Sequence, residues 1–290
     1  MTENKVNRNY KDTVFRMLFQ DREKLLSLYN AVNGTAYEDV DGLMITTLQD
    51  AVYMNYKNDV SFVFDFTLSI YEHQSTVNQN MPLRDLIYVS KVLQGQMKDQ
   101  DIYSSRQIKL PTPKFVVFYN GTDEQPEKQT LRLSDAYKKQ LEEVELELTV
   151  TVYNINYGHN QKLLEACQTL NEYAQYVEVV REYAKEMPLA EAVESAVDSC
   201  IRQGILADFL RKNRAEAIEM SIFEYDEEKH LKSEREIWLA EGIASEIVSM
   251  GLECGLSKEQ IFHRLRTKLN ISEQTAKEYF DKYSKEPVRI

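Results

Sequence analysis

The run Val60-Ser61-Phe62-Val63-Phe64, followed by Leu68-Ser69-Ile70-Tyr71, decides the fold of this chain. Both runs have the apolar, β-branched and aromatic character of buried strands. Only Asp65-Phe66-Thr67 lies between them, which is short enough for a hairpin. Because Asp59 directly precedes the first run and Glu72 directly follows the second, the hairpin predicts that these two acids lie side by side.

The two acids and a polar neighbour form a candidate cation site. Glu72 and Gln74 are two residues apart, so on a strand they project from the same face. Carboxylates at the ends of buried strands are costly unless they are compensated, and a hard divalent cation with oxygen ligands compensates them. Such a cation also polarises a phosphodiester and lowers the pKa of an attacking water. By themselves, the acids fit equally well as ion-pair partners of Lys or Arg at a sheet end.

Several segments resemble one known family in their order along the chain. Asn58-Asp59 and Glu72-His73-Gln74 resemble the PD-(D/E)XK nuclease signature, and more closely the bacterial Rpn family of recombination-promoting nucleases, also described as transposases. The other segments that carry the resemblance are Tyr10-Lys11-Asp12-Thr13-Val14-Phe15-Arg16, Met81-Pro82-Leu83-Arg84 with Tyr88, Leu110-Pro111 and Phe118-Tyr119-Asn120-Gly121. Together they cover residues 7–185.

The resemblance implies a function and a fold. It implies a metal-dependent DNA endonuclease, associated with recombination and transposition, on a restriction-endonuclease-like α/β core whose mixed sheet is flanked by helices. Asp59 and Glu72 would hold Mg²⁺, with Mn²⁺ as a substitute, and Gln74 would orient water or touch the scissile phosphate. Gln74 stands where the superfamily has a lysine, a replacement that this family shares.

Four further residues are weighed around this site. Asp12 is a candidate, although an acid in a first helical turn is also favoured by the helix dipole. Arg84 could stabilise charge on a phosphate or form an ordinary ion pair on a solvated face. Lys91, one helical turn past Tyr88, could stand in for the absent lysine. His73 should point to the opposite face of the strand and serve packing.

Charge and composition constrain the function. The net charge of −12 disfavours tight nonspecific binding to a polyanion, although a local basic face can coexist with it. A second hypothesis is therefore a catalytically weak DNA-binding or protein-interaction module on a nuclease fold, and a third is a nuclease that acts on RNA. No leader or apolar run of about 20 residues is seen, which predicts a cytoplasmic protein without a membrane span. Nothing indicates an organic cofactor.

The periodicity predicts three regions: a nuclease core over 1–160, a helical extension over 161–223 and a helical C-terminal region over 224–290. Within the core, we expect a first helix over 10–31 and a strand over 43–48. A helix should begin at Pro82 and a strand should span 114–119. The alternating run over 145–153 predicts a half-exposed strand at a sheet edge.

The tail has a pattern of its own. Ser257 and Gln260 are spaced as a capping box, Asn270 ends that helix, and Ser272 can begin another. The two helices are either a DNA-binding helix-turn-helix or, as we favour, a hairpin that closes the fold or pairs two subunits into a homodimer. In a dimer, a basic cluster would lie at the edge of the DNA path; its members are Lys258, Arg264, Arg266 and Lys268.

Overall fold

The computed structural model describes residues 14–46, 60–97 and 100–284, with the backbone alone over 223–236. Its strands are β1 (Met44–Ile45), β2 (Val60–Phe64), β3 (Thr67–Gln74), β4 (Thr112–Tyr119), β5 (Lys128–Arg132) and β6 (Thr149–Asn154). Its helices are α1 (Val14–Phe19), α2 (Arg22–Asn33), α3 (Met81–Gln96), α4 (Gln161–Ala166), α5 (Gln168–Ala184), α6 (Leu189–Gln203), α7 (Ala207–Lys212), α8 (Arg214–Glu253), α9 (Lys258–Leu269) and α10 (Glu273–Tyr283).

The strands form one mixed, open sheet in the order β1-β2-β3-β4-β6-β5. The pairs β1–β2, β2–β3 and β5–β6 are antiparallel, whereas β3–β4 and β4–β6 are parallel. The connection between β3 and β4 contains α3, as a parallel crossover requires. The protein is thus an α/β chain with a mixed sheet, followed by helices, as the sequence predicts at this level of detail.

The β2–β3 hairpin closes through a two-residue turn. Asp65 and Phe66 have φ angles of 45° and 56°, the left-handed conformation that both central residues of a type I′ turn adopt. The Tyr37 hydroxyl donates to Asp65 Oδ2 over 2.6 Å, which anchors the turn from outside the hairpin. The predicted hairpin is confirmed, and Phe66 at the second turn position is 85% exposed.

The two faces of the sheet carry separate apolar clusters. One face packs against α1, α2, α4, α5 and α6 through residues such as Phe15, Phe62 and Tyr71. The other face packs against α3, whose Met81, Tyr88, Val89 and Val92 cover Leu68 and Ile70 of β3. Because side chains alternate along a strand, β3 sends its odd-numbered and even-numbered positions from 68 to 74 into different layers.

Three expected elements differ from the structure. The helix expected over 10–31 is interrupted within its described part, because Asp21 caps a new helix by accepting hydrogen bonds from the Glu23 and Lys24 backbones. Only Met44–Ile45 of the expected strand over 43–48 pairs with β2, and residues 47 and 48 lie outside the described part.

The third difference concerns the sheet edge. The expected edge strand is β6, but it begins at Thr149 and lies inside the sheet between β4 and β5. The edge position belongs to β5, Lys128–Arg132, which the sequence analysis missed. Its five residues expose most of their side chains and lack an apolar alternation, so only the backbone pairing with β6 identifies the strand.

The chain divides into two compact units, Met1–Tyr225 and Asp226–Ile290. The second unit packs the end of α8 with α9 and α10 around Ala244, Val248, Ile261, Leu265 and Ala276. The capping box of Ser257 and Gln260 is present, Asn270 ends α9 in the left-handed conformation, and Ser272 caps α10. Within the described part of the chain, no helix has the length and apolar character to cross a bilayer.

Candidate functional site

Glu72 lies near the carboxyl end of β3, on the face covered by α3. Leu68 and Ile70 precede it on the same face and pack into the apolar cluster with α3, so Glu72 continues a buried row. Its exposure is only 8%. Arg84, in the first turn of α3, donates from Nη2 to Glu72 Oε1 over 2.8 Å. The two residues therefore form an ion pair at the end of the sheet.

Gln74 follows on the same face, as its spacing predicts. Its Nε2 donates to Met81 Sδ over 2.8 Å, and the same sulfur accepts a 3.3 Å contact from Arg84 Nη1. A thioether is a weak acceptor, so neither contact is a strong one. Gln74 Oε1 is buried and has no hydrogen-bond partner in the part of the chain that the structure describes. Gln74 and Arg84 thus converge beside Glu72, with one amide oxygen unsatisfied.

Asp85 is a buried acid of this site that the sequence analysis did not propose. It lies on the sheet-facing side of α3, with an exposure of 4%. Burial, and secondarily the charge of Glu72, raise the pKa of the Asp85 carboxyl well above its ordinary value, while Arg84 acts in the opposite direction. The signal was present in the sequence: Met81, Asp85, Tyr88 and Val92 share one helical face, and Asp85 interrupts an otherwise apolar stripe.

A buried hydrogen bond ties β2 to α3 at the flank of the site. Ser61 Oγ and the Tyr88 hydroxyl are 3.0 Å apart. Ser61 pairs in register with Ile70, and Val60 pairs with Tyr71, the residue directly before Glu72. The hydrogen bond and the register hold β2, β3 and α3 together where the acids are expected to meet.

The remaining predicted site residues are not brought to Glu72 by any described contact. Asp59 and Asp12 lie outside the described residues. Lys91 is half-buried on α3, and no hydrogen bond or ion pair joins it to Glu72 within residues 14–46, 60–97 and 100–284. Over the same ranges, no group of three or more His, Cys, Asp or Glu side chains could hold a metal ion.

His73 lies on the opposite face of β3, as predicted. Its Nε2 is 3.0 Å from the Tyr173 hydroxyl, and its ring stacks on Phe15 with centroids 5.2 Å apart. Although part of the residue reaches the surface, these aromatic neighbours desolvate the imidazole. Desolvation first, and the charge of Arg181 second, lower the pKa of His73 to about 3. His73 is therefore neutral at physiological pH and belongs to the packing of this face.

A polar network missed by the sequence analysis closes the sheet beside His73. Arg181 Nη1 donates to Asn120 Oδ1 over 3.0 Å and to Asn156 Oδ1 over 2.8 Å, and its Nη2 donates to the Asn120 carbonyl over 2.6 Å. The backbone N–H of Asn120 donates to the Gln74 carbonyl over 2.9 Å. The network links the ends of β3 and β4 to α5. The residues of this network lie far apart in the chain, so no local sequence pattern predicts it.

The four basic residues of the tail have different surroundings. Lys258 Nζ lies over the rings of Phe262 and Phe280, at 5.5 and 4.9 Å from their centroids, and Arg266 lies 3.7 Å from a Glu273 oxygen. Arg264 and Lys268 are exposed and one helical turn apart on α9. Lys258 and Arg266 thus have partners within their own unit, and Arg264 and Lys268 are the better candidates for contacting a polyanion.

Comparison with known proteins finds no family model that matches the chain, no similar curated protein and no similar solved structure.

Proposed function

We propose that this protein is a divalent-cation-dependent endonuclease that hydrolyses DNA phosphodiesters in recombination or transposition, on a restriction-endonuclease-like sheet. One observation carries the proposal: Glu72 and Gln74 project from one face at the end of a buried strand, beside Arg84 at the start of α3. The choice of DNA as the substrate rests on the resemblance to Rpn nucleases.

In this proposal Asp59 and Glu72 hold the cation, Mg²⁺ or Mn²⁺. Asp59 directly precedes Val60, and Val60 pairs with Tyr71, the neighbour of Glu72, which supports placing the two acids together. The bound cation polarises the phosphodiester and lowers the pKa of the attacking water. Gln74 has an unsatisfied amide oxygen with which it can accept a hydrogen bond from that water. Arg84, bonded to Glu72, supplies positive charge for the phosphate.

The proposal includes a homodimer, and it assigns Arg264 and Lys268 to contact with DNA. Two symmetric sites suit cutting of two strands. Sedimentation of the full chain at micromolar concentration should give the mass of a dimer, and a monomer there would contradict this part of the proposal.

A catalytically weak nucleic-acid-binding or interaction module is the second candidate. Two observations favour it: the net charge of −12, and the ion pair with Arg84 that already occupies one oxygen of Glu72. In this candidate the fold is retained and hydrolysis is weak.

A cleavage assay separates the two candidates. Supercoiled plasmid is incubated with the full chain and Mg²⁺, Mn²⁺, Ca²⁺ or EDTA, with single-stranded DNA and RNA as parallel substrates. The first candidate predicts nicking or linearisation with Mg²⁺ or Mn²⁺ and none with EDTA. Because a cation contributes several kcal/mol to the transition state, Glu72→Gln should reduce the rate at least about 100-fold.

The matched control is Glu165→Gln, an exposed glutamate on α4, which should cleave like the wild type. Cleavage that survives Glu72→Gln would place the activity elsewhere. Cleavage of RNA alone would change the proposed substrate from DNA to RNA. The absence of cleavage on every substrate would favour the second candidate.

A further inference from the structure

Arg84 uses only part of its hydrogen-bonding capacity on Glu72. Its Nη2 donates to Glu72 Oε1 over 2.8 Å, and its Nη1 reaches the thioether of Met81 over 3.3 Å. A guanidinium carries several N–H donors, and a thioether is a weak acceptor. Within the described part of the chain, the Arg84 side chain therefore directs one N–H to a strong acceptor, and its other donors are available to a further oxygen-rich group.

The position of Arg84 gives it access to such a group. Arg84 lies in the first turn of α3, and its side chain is 24% exposed, whereas that of Glu72 is 11% exposed. The guanidinium thus lies between the buried carboxylate and solvent, at the end of a long stem. A change of side-chain rotamer can exchange the Glu72 contact for a contact with a bound molecule, and the helix and the strand need not move.

Arg84 and a divalent cation at Glu72 compete for the same carboxylate. The two oxygens of a carboxylate share one negative charge, so a cation at either oxygen weakens the attraction between Glu72 and the guanidinium. Two positive groups also repel each other in a partly buried site, where the effective dielectric constant is below that of water. Arg84 and a cation therefore cannot both hold Glu72 as firmly as either does alone.

We propose that Arg84 is an exchangeable counter-ion of the cation site. It holds Glu72 in the cation-free protein and turns to a phosphate oxygen of the nucleic acid when a divalent cation binds. The inference rests on the proposed function, since it concerns the regulation of the same site. A guanidinium released from Glu72 suits bidentate binding of a phosphate. The two binding events are then coupled: the cation raises the affinity for the nucleic acid, and the nucleic acid raises the affinity for the cation by the same factor.

Cation binding without any nucleic acid tests the competition. Mn²⁺ is titrated into the full chain at mildly alkaline pH, where carboxylates are ionised, and the free ion is followed by electron paramagnetic resonance. The variants are Arg84→Gln, which removes the charge, Arg84→Lys, which keeps a charge without the planar fork, and Glu72→Gln. The matched control is Arg214→Gln, because Arg214 of α8 also forms an ion pair, with Asp198 of α6 over 2.9 Å.

The two members of the ion pair should show opposite effects. Arg84→Gln should bind Mn²⁺ at least about fivefold more tightly than the wild type, because the cation no longer has to break an ion pair. Glu72→Gln should bind Mn²⁺ about tenfold more weakly or worse, because a ligand is lost. Arg84→Lys should lie between the wild type and Arg84→Gln, and Arg214→Gln should match the wild type. An arginine that only supports the fold would not give tighter binding when it is removed.

Binding of nucleic acid tests the exchange. A short fluorescent DNA duplex is titrated with the wild type and with Arg84→Gln, in Ca²⁺ or in EDTA, and its anisotropy is measured. Ca²⁺ should tighten duplex binding by the wild type, whereas in Arg84→Gln this effect of Ca²⁺ should be largely lost, because that variant has no guanidinium to release. An equal effect of Ca²⁺ on both proteins would overturn the exchange.

Circular dichroism and a urea midpoint establish that Arg84→Gln is folded. If it is not, Arg84→Lys decides the question, since it too should bind Mn²⁺ more tightly than the wild type. Two outcomes of the Mn²⁺ titration overturn the inference. One is an affinity that is unchanged or weaker in Arg84→Gln; if the plasmid is still cleaved, the proposed nuclease then stands without the exchange. The other is no binding by the wild type or by Arg84→Gln up to about 10 mM, beyond the weakest natural divalent sites. Conversely, tighter Mn²⁺ binding by Arg84→Gln supports the inference even if the plasmid assay shows no cleavage, in which case only the proposed function fails.

Discussion

On one face of β3, His73 is held by the Tyr173 hydroxyl and stacks on Phe15, and it is kept neutral by its surroundings. On the other face, one residue away in each direction, Glu72 pairs with Arg84 beside a second buried acid, and Gln74 leaves an oxygen unsatisfied. Both faces bury polar groups, and on both some buried atoms have no hydrogen-bond partner within the described chain: Gln74 Oε1 on the second face, and Ser69 Oγ and Tyr71 Oη on the first. The difference between the faces is one of charge: the first buries a neutral imidazole among aromatic rings, whereas the second holds an ion pair beside a further buried acid.

The largest expected effect is on the stability of the apolar cluster on the His73 face of the sheet. Phe15 is fully buried, with ring centroids 4.7 Å from Phe19 and 5.4 Å from Phe118. Phe15→Ala should lower the free energy of unfolding by about 3–5 kcal/mol, because it opens a cavity in a packed cluster. Urea denaturation measures the loss. Phe66→Ala, at the exposed hairpin turn, is the control and should stay within about 0.5 kcal/mol. Equal losses would contradict the role of Phe15 in the packed cluster.

The next largest effect on stability is expected at Gly121, just after the end of β4. A Cβ added to Gly121 would lie 1.8 Å from the Ser75 carbonyl oxygen and 2.6 Å from the Tyr119 hydroxyl. Gly121→Ala should therefore destabilise the fold by about 1–3 kcal/mol, because the backbones of two neighbouring strands must separate. Gly95→Ala, where a Cβ meets nothing within 4 Å, should instead stabilise α3 by up to about 1 kcal/mol. Thermal and urea unfolding of this pair would test the close approach.

The third effect is the pH dependence of the His73 face. The pKa of His73 falls from 6.5 to about 3 on folding, so the unfolded chain takes up the proton first. The stability contribution is complete above the unfolded pKa and is lost progressively as pH falls below it. Between about pH 7.5 and about pH 5.5 the loss should reach up to about 1.4 kcal/mol. His73→Gln should remove that part of the pH dependence, and an identical dependence in both proteins would contradict the assignment.

The smallest expected effect is the change in cleavage rate on replacing Gln74. Gln74→Lys introduces the lysine of the PD-(D/E)XK signature that the sequence resembles, and it places a cation beside Glu72. If Gln74 occupies that position, cleavage should stay within about tenfold of the wild type or rise, a barrier change of about 1.4 kcal/mol at most. Gln74→Ala should slow cleavage less than Glu72→Gln. A loss in Gln74→Lys as large as in Glu72→Gln would contradict the assigned role.

The hairpin of β2 and β3, the helix after Pro82 and the caps at Ser257 and Ser272 were all predictable from the sequence. Each depends on local rules: alternation along a strand, proline at a first turn, and hydroxyls that accept backbone N–H groups. The shared face of Glu72 and Gln74 and the opposite orientation of His73 followed from the same alternation. These features depend only on local sequence periodicity, so they could be predicted without knowing which distant segments pack nearby.

The position of β6 inside the sheet and the strand β5 were decided by the tertiary structure. So were the contacts of Arg84 with Glu72, the burial of Asp85 and the network around Arg181. Each depends on which distant segments lie side by side, and Arg181 reaches Asn120 across 61 residues of chain. Alternation reports which way a side chain points along its own strand. The tertiary structure determines which charged groups surround that side chain. Those groups determine whether a buried acid forms a structural ion pair or can bind a cation.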